Sequence, residues 1–105
     1  MARAQARRSP VAGDRDRAEH LAELLRAVAH PLRLRIVALL CEGPTQVNAL
    51  AGRLAASQAI VSQQLRILRM HRLVSAHRAE GRAVYGLLEP QLRNLVGCLE
   101  GCRVR

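Results

Sequence analysis

The apolar residues of this chain lie in short stripes at helical spacing, and prolines and glycines separate the stripes. Pro31 disfavours the helical conformation in the residue before it, so it ends one helix near His30 and starts a second. Gly43 and Pro44 end that second helix, and Pro90 starts the last one. The pattern predicts a mainly helical chain of short helices. Its core is aliphatic, because aromatic residues make up only 1% of the chain.

Four helices, a β-hairpin and a last helix are predicted in this order. The four helices cover residues 18–30, 31–42, 46–54 and 58–71, and the last helix begins at residue 90. Thr45 and Ser57 are the expected caps of the third and fourth helices. Strand-forming residues on both sides of Glu80 and Gly81 predict the hairpin. At 105 residues the chain fits one domain, residues 17–105, preceded by a flexible basic arm, residues 1–16.

The third and fourth helices are joined by a tight connection, which indicates a helix-turn-helix. At 100° per residue, Val61, Leu65 and Leu68 lie within about 60° of one another and form the buried face of the fourth helix. A separate arc of about 140° carries amides, a hydroxyl, a methyl and guanidiniums, but no acid. These groups read base edges and hold phosphates. The predicted DNA contacts here are Ser57, Gln58, Ala59, Ser62, Gln63, Arg66 and Arg69.

The charge balance favours a polyanionic partner. The chain has 17 basic residues, all of them arginine, against 8 acidic ones, for a net charge of +9. Nucleic acid is the first candidate partner and an anionic membrane surface the second, but no membrane partner is expected, because the aromatic anchors of a membrane-surface helix are missing. Arg78 and Arg82 flank the hairpin turn and are expected to contact the DNA backbone or the minor groove. A solvated turn is the alternative.

Other classes of protein fit the sequence less well. No paired carboxylates, nucleophile–base motif or glycine-rich phosphate loop is seen, so an enzyme is not expected. No stretch of 18 apolar residues could span a membrane, and the basic N-terminus lacks the apolar block of a secretory signal. We therefore expect a cytoplasmic protein. A winged-helix module that binds another protein stays an alternative, because the fold alone does not guarantee DNA binding.

The stretches HPLRLRIV and SQAIVSQQLRILR, together with the strand at residues 81–87, resemble the ArsR-type winged-helix repressors of bacteria, and the resemblance runs from about residue 20 to residue 96. It implies a winged helix-turn-helix that represses by occupying double-stranded operator DNA and is released by a metal, a metalloid or reactive sulfur. It also implies a homodimer formed through the first and last helices. The corresponding interface residues are Leu21, Leu24, Leu25, Val28, Leu92, Leu95, Val96 and Leu99.

Two recurrent metal sites of this family lack their ligands here. The cysteine pair at the start of the third helix is replaced by Gln46 and Asn48. The Asp, His, His and Glu set of the last helix corresponds to Glu89, Gln91, Cys102 and Arg105, of which only the first keeps a suitable ligand type. At position 64 many members of the family carry His, where this chain has glutamine.

Three cysteines are the candidate sensing residues. Cys98 and Cys102 are spaced i, i+4 on the predicted last helix, so their side chains are neighbours beside the Leu95–Leu99 stripe. Thiolates suit As(III), Cd, Zn, Hg or Cu(I), and the same pair could be oxidised instead. Thiol-switch relatives place one cysteine on the second helix and one on the last. Cys41 falls about one turn later than in those relatives. Alternatively, all three cysteines are small buried hydrophobes, and the regulator binds DNA without an inducer.

Overall fold

The computed structural model describes residues 10–104, and most of the predicted N-terminal arm lies outside this range. After a 3₁₀ turn at Val11–Gly13, the elements are α1 (Arg15–Val28), α2 (Pro31–Leu40), β1 (Thr45–Gln46), α3 (Val47–Leu54), α4 (Gln58–Met70), β2 (Val74–Ala79), β3 (Arg82–Leu87) and α5 (Gln91–Glu100). The predicted order of helices and hairpin is confirmed.

The first helix begins earlier than the sequence pattern indicated. Asp14 accepts a hydrogen bond from the backbone N–H of Arg17 at 2.9 Å and so caps a helix that starts at Arg15. Residues 15 and 16, which the sequence assigned to the arm, are therefore helical. Helix α1 ends at Val28, two residues before the predicted end at His30. His30 instead caps α2, because its Nδ1 accepts from the backbone N–H of Leu32 at 3.1 Å.

The core is centred on the packing of α2 against α4. The predicted buried face of α4 is confirmed, since its three apolar residues are 0% exposed. They share the core with three equally buried residues of α2, namely Ile36, Val37 and Leu40. Dense apolar packing of this kind supplies most of the stability of a small domain. The core thus fixes α4 from behind and leaves its opposite face to solvent.

The predicted hairpin is confirmed, and it belongs to a three-stranded antiparallel sheet with the order β1-β3-β2. Strands β2 and β3 pair from Val74↔Leu87 to Ala79↔Arg82. Glu80 and Gly81 have φ angles of 54° and 79°, which is the left-handed conformation that a tight two-residue hairpin turn requires. The hairpin is the wing of the fold.

The third strand corrects the prediction that Thr45 caps a helix. Thr45 and Gln46 pair with Tyr85 and Val84 on the free edge of β3. Helix α3 therefore begins at Val47, and its N-cap residue Gln46 makes no capping hydrogen bond with its side chain. The edge of β3 offered unpaired backbone groups, and pairing with them decided the conformation of this segment.

Three of the predicted interface residues are already buried within one chain. Val28, Leu92 and Val96 are 4%, 1% and 6% exposed and belong to the core, so a partner could not contact them appreciably. At the end of α5, Gly101 follows the last helical residue, and Cys102 lies beyond the helix. The expectation that both Cys98 and Cys102 are helical is wrong for Cys102.

Ala55, in the turn between α3 and α4, yields a stability prediction. Its φ of 54° places it in the left-handed region, where a Cβ costs about 1–2 kcal/mol. Ala55→Gly should raise the free energy of unfolding by about 0.5–1 kcal/mol, after the greater unfolded-state entropy of glycine is subtracted. Urea unfolding at a fixed protein concentration measures the change. Ala49→Gly, at an exposed helical position of α3, is the control and should lower stability by about 1 kcal/mol. A loss of stability in Ala55→Gly would contradict the assignment of strain to this residue.

Candidate nucleic-acid interface

The residues that the sequence predicted as DNA contacts lie on the exposed face of α4. Ser57 caps the helix, with its Oγ accepting from the backbone N–H of Ile60 at 3.1 Å. The other predicted residues of this helix all have exposed side chains, and they are Gln58, Ala59, Ser62, Gln63, Arg66 and Arg69. Residues 57–71 contain no acid, so nothing on this helix repels a phosphate. The polar side chains at its first two turns are the ones that can reach into a major groove.

Ile60 is a surface residue that the sequence analysis did not assign. It lies in the first turn of α4 and is 46% exposed, although most large aliphatic residues of the chain lie inward. An exposed aliphatic group beside amides and hydroxyls suits contact with a thymine methyl group. Its position outside both the buried stripe and the polar arc was the available signal.

The wing lies beside the first turn of α4, and an open groove separates them. Gln46, Asn48 and Gln58 line this groove together with Arg78 and Arg82 of the wing. Its lining side chains, all from the described part of the chain, include no acid. The sequence had predicted Arg78 and Arg82 as contacts, but it treated Gln46 and Asn48 only as replacements for missing cysteines. The sequence already placed both residues at the start of the helix-turn-helix, and this position could have indicated that they lie near the predicted DNA contacts.

Hydrogen bonds hold both arginines of the wing. Arg78 Nη1 donates to the Gly81 carbonyl at 2.7 Å, across the hairpin turn. Arg82 Nη1 donates to Gln46 Oε1 at 3.4 Å, which directs this guanidinium towards the start of α3. Each guanidinium keeps further N–H groups that can donate to a phosphate.

The three cysteines lie at separate places around α5. Cys41, at the end of α2, is half-buried, and Arg93 Nε donates to its carbonyl at 3.3 Å. Burial raises the pKa of the Cys41 thiol, while the charge of Arg93 opposes the rise and Glu100 and Glu42 add to it. A raised pKa lowers the fraction of thiolate, which disfavours attack by Cys41 relative to an unperturbed thiol.

Cys98 lies on a different side of α5 from Cys41. At 100° per residue, Cys98 is about 140° from Arg93, the residue that contacts Cys41. Cys98 and Cys102 are both exposed, and the Cys102 Sγ is 3.6 Å from the Cys98 carbonyl. Neither of these two thiols is buried within the single chain. Within residues 10–104, no group of three or more His, Cys, Asp and Glu side chains is placed to hold a metal ion.

An apolar groove runs between α1 and α5. Leu21, Leu24, Leu25 and Leu95 line it, together with Arg17 and Glu89. Leu25 is 50% exposed, and Leu99, further along α5, is 45% exposed. Large exposed leucines on neighbouring helices are typical of a surface that another molecule covers.

Comparisons with known proteins agree with this architecture. Residues 30–76 match the bacterial regulatory protein arsR family. The chain is 39% identical over 80 residues to the transcriptional repressor SmtB homolog of Synechocystis, covering 76% of this chain and 61% of that protein. It is 36% identical over 83 residues to the biofilm growth-associated repressor of Xylella fastidiosa, covering 79% of this chain and 73% of that protein. The chain belongs to the ArsR family.

A solved structure shows the same fold. The homodimeric winged helix-turn-helix DNA-binding domain of Mb0332 from Mycobacterium bovis, a possible ArsR-family regulator, matches with a TM-score of 0.72 and 25% sequence identity. The match covers 90% of this chain and 86% of that domain. This ArsR-family chain is thus a winged helix-turn-helix, in which α3 and α4 form the helix-turn-helix and β2 and β3 the wing. In residues 10–104 no helix is long and apolar enough to cross a membrane.

Proposed function

We propose that this ArsR-family chain is a sequence-specific transcriptional repressor that binds operator DNA through α4. The observation that carries the proposal is the acid-free, polar and exposed face of α4, set on a fully buried apolar face. Recognition needs both faces, because base-reading side chains must be held in place by a rigid scaffold. A protein-binding module would more often expose apolar or acidic residues on this helix.

The roles of the side chains on α4 and the wing follow from their positions. Gln58, Ser62 and Gln63 lie in the first two turns, where an amide or a hydroxyl can bond to base edges. Arg66 and Arg69 lie further along the helix and reach the phosphate backbone. The wing adds Arg78 and Arg82, which line the same groove as Gln58. Phosphate contacts orient the protein, and the base contacts select the sequence.

The working unit in this proposal is a homodimer. The five interface residues that one chain leaves partly or largely exposed are Leu21, Leu24, Leu25, Leu95 and Leu99. A second copy placed on the α1–α5 groove would bury them and present two copies of α4 to DNA. Two recognition helices related by symmetry read two half-sites, which increases both affinity and specificity.

The proposed inducer acts on the thiols of Cys98 and Cys102. Both are exposed, and Cys98 lies next to Leu95 on the helix surface, at the margin of the proposed dimer interface. One chain supplies two neighbouring thiols, which is fewer than a complete ligand set for a metal ion. A thiophilic ion would therefore need donors from both subunits, whereas an oxidant such as peroxide needs only the pair. Two thiols and one peroxide molecule give one disulfide and two water molecules.

Removal of one base-reading side chain tests the role of α4. Gln63→Ala should weaken binding to the operator by about tenfold, because a lost base contact costs about 1–3 kcal/mol. Its binding to unrelated DNA should hardly change. Fluorescence anisotropy with the two DNA sequences measures both affinities. Asn94→Ala removes an exposed amide from α5 and should alter neither. An equal loss on both DNA sequences in Gln63→Ala would contradict the base-reading role.

A charge placed in the α1–α5 groove tests the dimer. Leu25→Asp should weaken self-association by about a hundredfold, because a carboxylate would be buried without a partner. Sedimentation equilibrium measures the association constant. The control is Ile60→Asp, which changes a similarly exposed residue on α4. It should leave the dimer intact and abolish DNA binding. A dimer that survives Leu25→Asp would show that the interface lies elsewhere.

Substitution of two cysteines tests the sensing proposal. The Cys98→Ser, Cys102→Ser protein should bind its operator normally and stay bound when As(III), Cd(II) or peroxide is added. Cys41→Ser is the matched control and should be released like the unsubstituted protein. Operator release is followed in the same anisotropy assay. Normal release of the double variant would refute the thiol role. Failure of all these reagents to release the unsubstituted protein would favour a regulator without such an inducer.

A further inference from the structure

Arg33, on α2, is hydrogen-bonded to two other helices. Its Nε donates to the carbonyl of Ala27 in the last turn of α1, and its Nη1 donates to Gln64 Oε1 on α4 at 2.9 Å. The arginine itself lies in the first turn of α2 and is half-buried. We propose that Arg33 is a positioning residue for DNA reading, which couples the end of α1 to the rotation of α4. This inference rests on the proposed function of α4.

The Ala27 carbonyl needs a donor from outside its own helix. In a continuing helix this carbonyl would accept from the N–H of residue 31, but residue 31 is proline and has no N–H. Ala27 is only 3% exposed, so an unpaired carbonyl there would be costly. Arg33 supplies the donor, and its positive charge also suits the negative end of α1. The contact with α1 is thus required by the break at Pro31.

The contact with α4 supplies an orientation that apolar packing cannot supply. Burial of Val61, Leu65 and Leu68 is nondirectional, and it tolerates small rotations of the helix. A hydrogen bond from a charged donor is directional. Gln64 lies between the buried face and solvent on the flank of α4, and Arg33 holds it there. A rotation of α4 by 20° would move side-chain tips by about 2 Å, which is enough to break contacts with bases.

The geometry also links the α1–α5 groove to α4. Helix α1 contributes Leu21, Leu24 and Leu25 to the groove, and its last turn is bonded to Arg33. A shift of α1 when a partner subunit docks therefore acts on the same guanidinium that holds Gln64. Gln64 does not need to touch DNA to influence its recognition.

The test uses a double-mutant cycle on the full chain, with operator and unrelated DNA as probes. Arg33→Lys keeps the charge but lacks the planar fork that reaches two acceptors together. Arg33→Lys and Gln64→Ala should each weaken operator binding by about five- to tenfold, and binding to unrelated DNA by less than about twofold. The double variant should lose no more operator affinity than the weaker-binding single variant loses, because both changes break the same hydrogen bond between Arg33 and Gln64. Arg35→Lys, at an exposed position on the same helix, should change neither affinity.

Three results would overturn the proposal: additive losses in the double variant, equal losses on both DNA sequences, or a loss in Arg35→Lys as large as in Arg33→Lys. If Arg33→Lys unfolds, as judged by its thermal transition, Gln64→Ala decides alone by its effect on the operator-to-unrelated affinity ratio.

Backbone amide NMR spectra of the DNA-free protein separate this proposal from the function of α4. Arg33→Lys should shift the amide signals near Ala27 and near Gln64, whereas Arg35→Lys should shift neither set. If these shifts are seen but the unsubstituted protein shows no preference for the operator, the proposed function is refuted and the coupling between α1 and α4 still holds. If the amide signals of α4 are unchanged in Arg33→Lys, the coupling is refuted.

Discussion

The packing of α4 against α2 is the contact on which the rest of the structure depends. Six fully buried aliphatic residues, three from each helix, belong to the same core cluster, and the chain has almost no aromatic side chains to fill a core in any other way. Aliphatic side chains of this size stabilise by about 1.5–3 kcal/mol each when fully buried. Because α4 buries one face so completely, its opposite face is free to be polar. The proposed function is carried by that free face.

The proposed DNA surface is built by tertiary contacts from elements that are distant in sequence. The wing reaches the first turn of α4 because β1 pairs with β3 and brings the start of α3 to the edge of the hairpin. Gln46 then holds Arg82, which is 36 residues away in sequence. On the other flank of α4, Arg33 holds Gln64 across 31 residues. Both links are hydrogen bonds from guanidinium groups, which suits a chain whose basic residues are all arginine.

The proposed thiol chemistry depends on where the three cysteines lie in the fold more than on how many there are. Spacing alone made Cys98 and Cys102 neighbours, and the structure keeps them near each other even though Cys102 lies beyond the helix. Spacing could not show that Cys41 lies on another side of α5, bonded through its carbonyl to Arg93, or that burial raises the pKa of its thiol. The structure therefore distinguishes two exposed thiols from one that is partly buried, and the proposed sensing role is assigned to the exposed pair.

The sequence by itself determined the helices, the hairpin and the division of α4 into a buried apolar face and an exposed polar face. Each of these is set by local periodicity, by prolines and by turn residues such as Glu80 and Gly81. The tertiary structure alone decided that Thr45 joins a strand instead of capping a helix, because the partner strand lies about 40 residues away. It also decided that Val28, Leu92 and Val96 are core residues, since an apolar stripe does not say which molecule covers it. Arg33 belongs to the same class: the missing N–H of Pro31 can be read in the sequence, but only the fold shows which side chain replaces it.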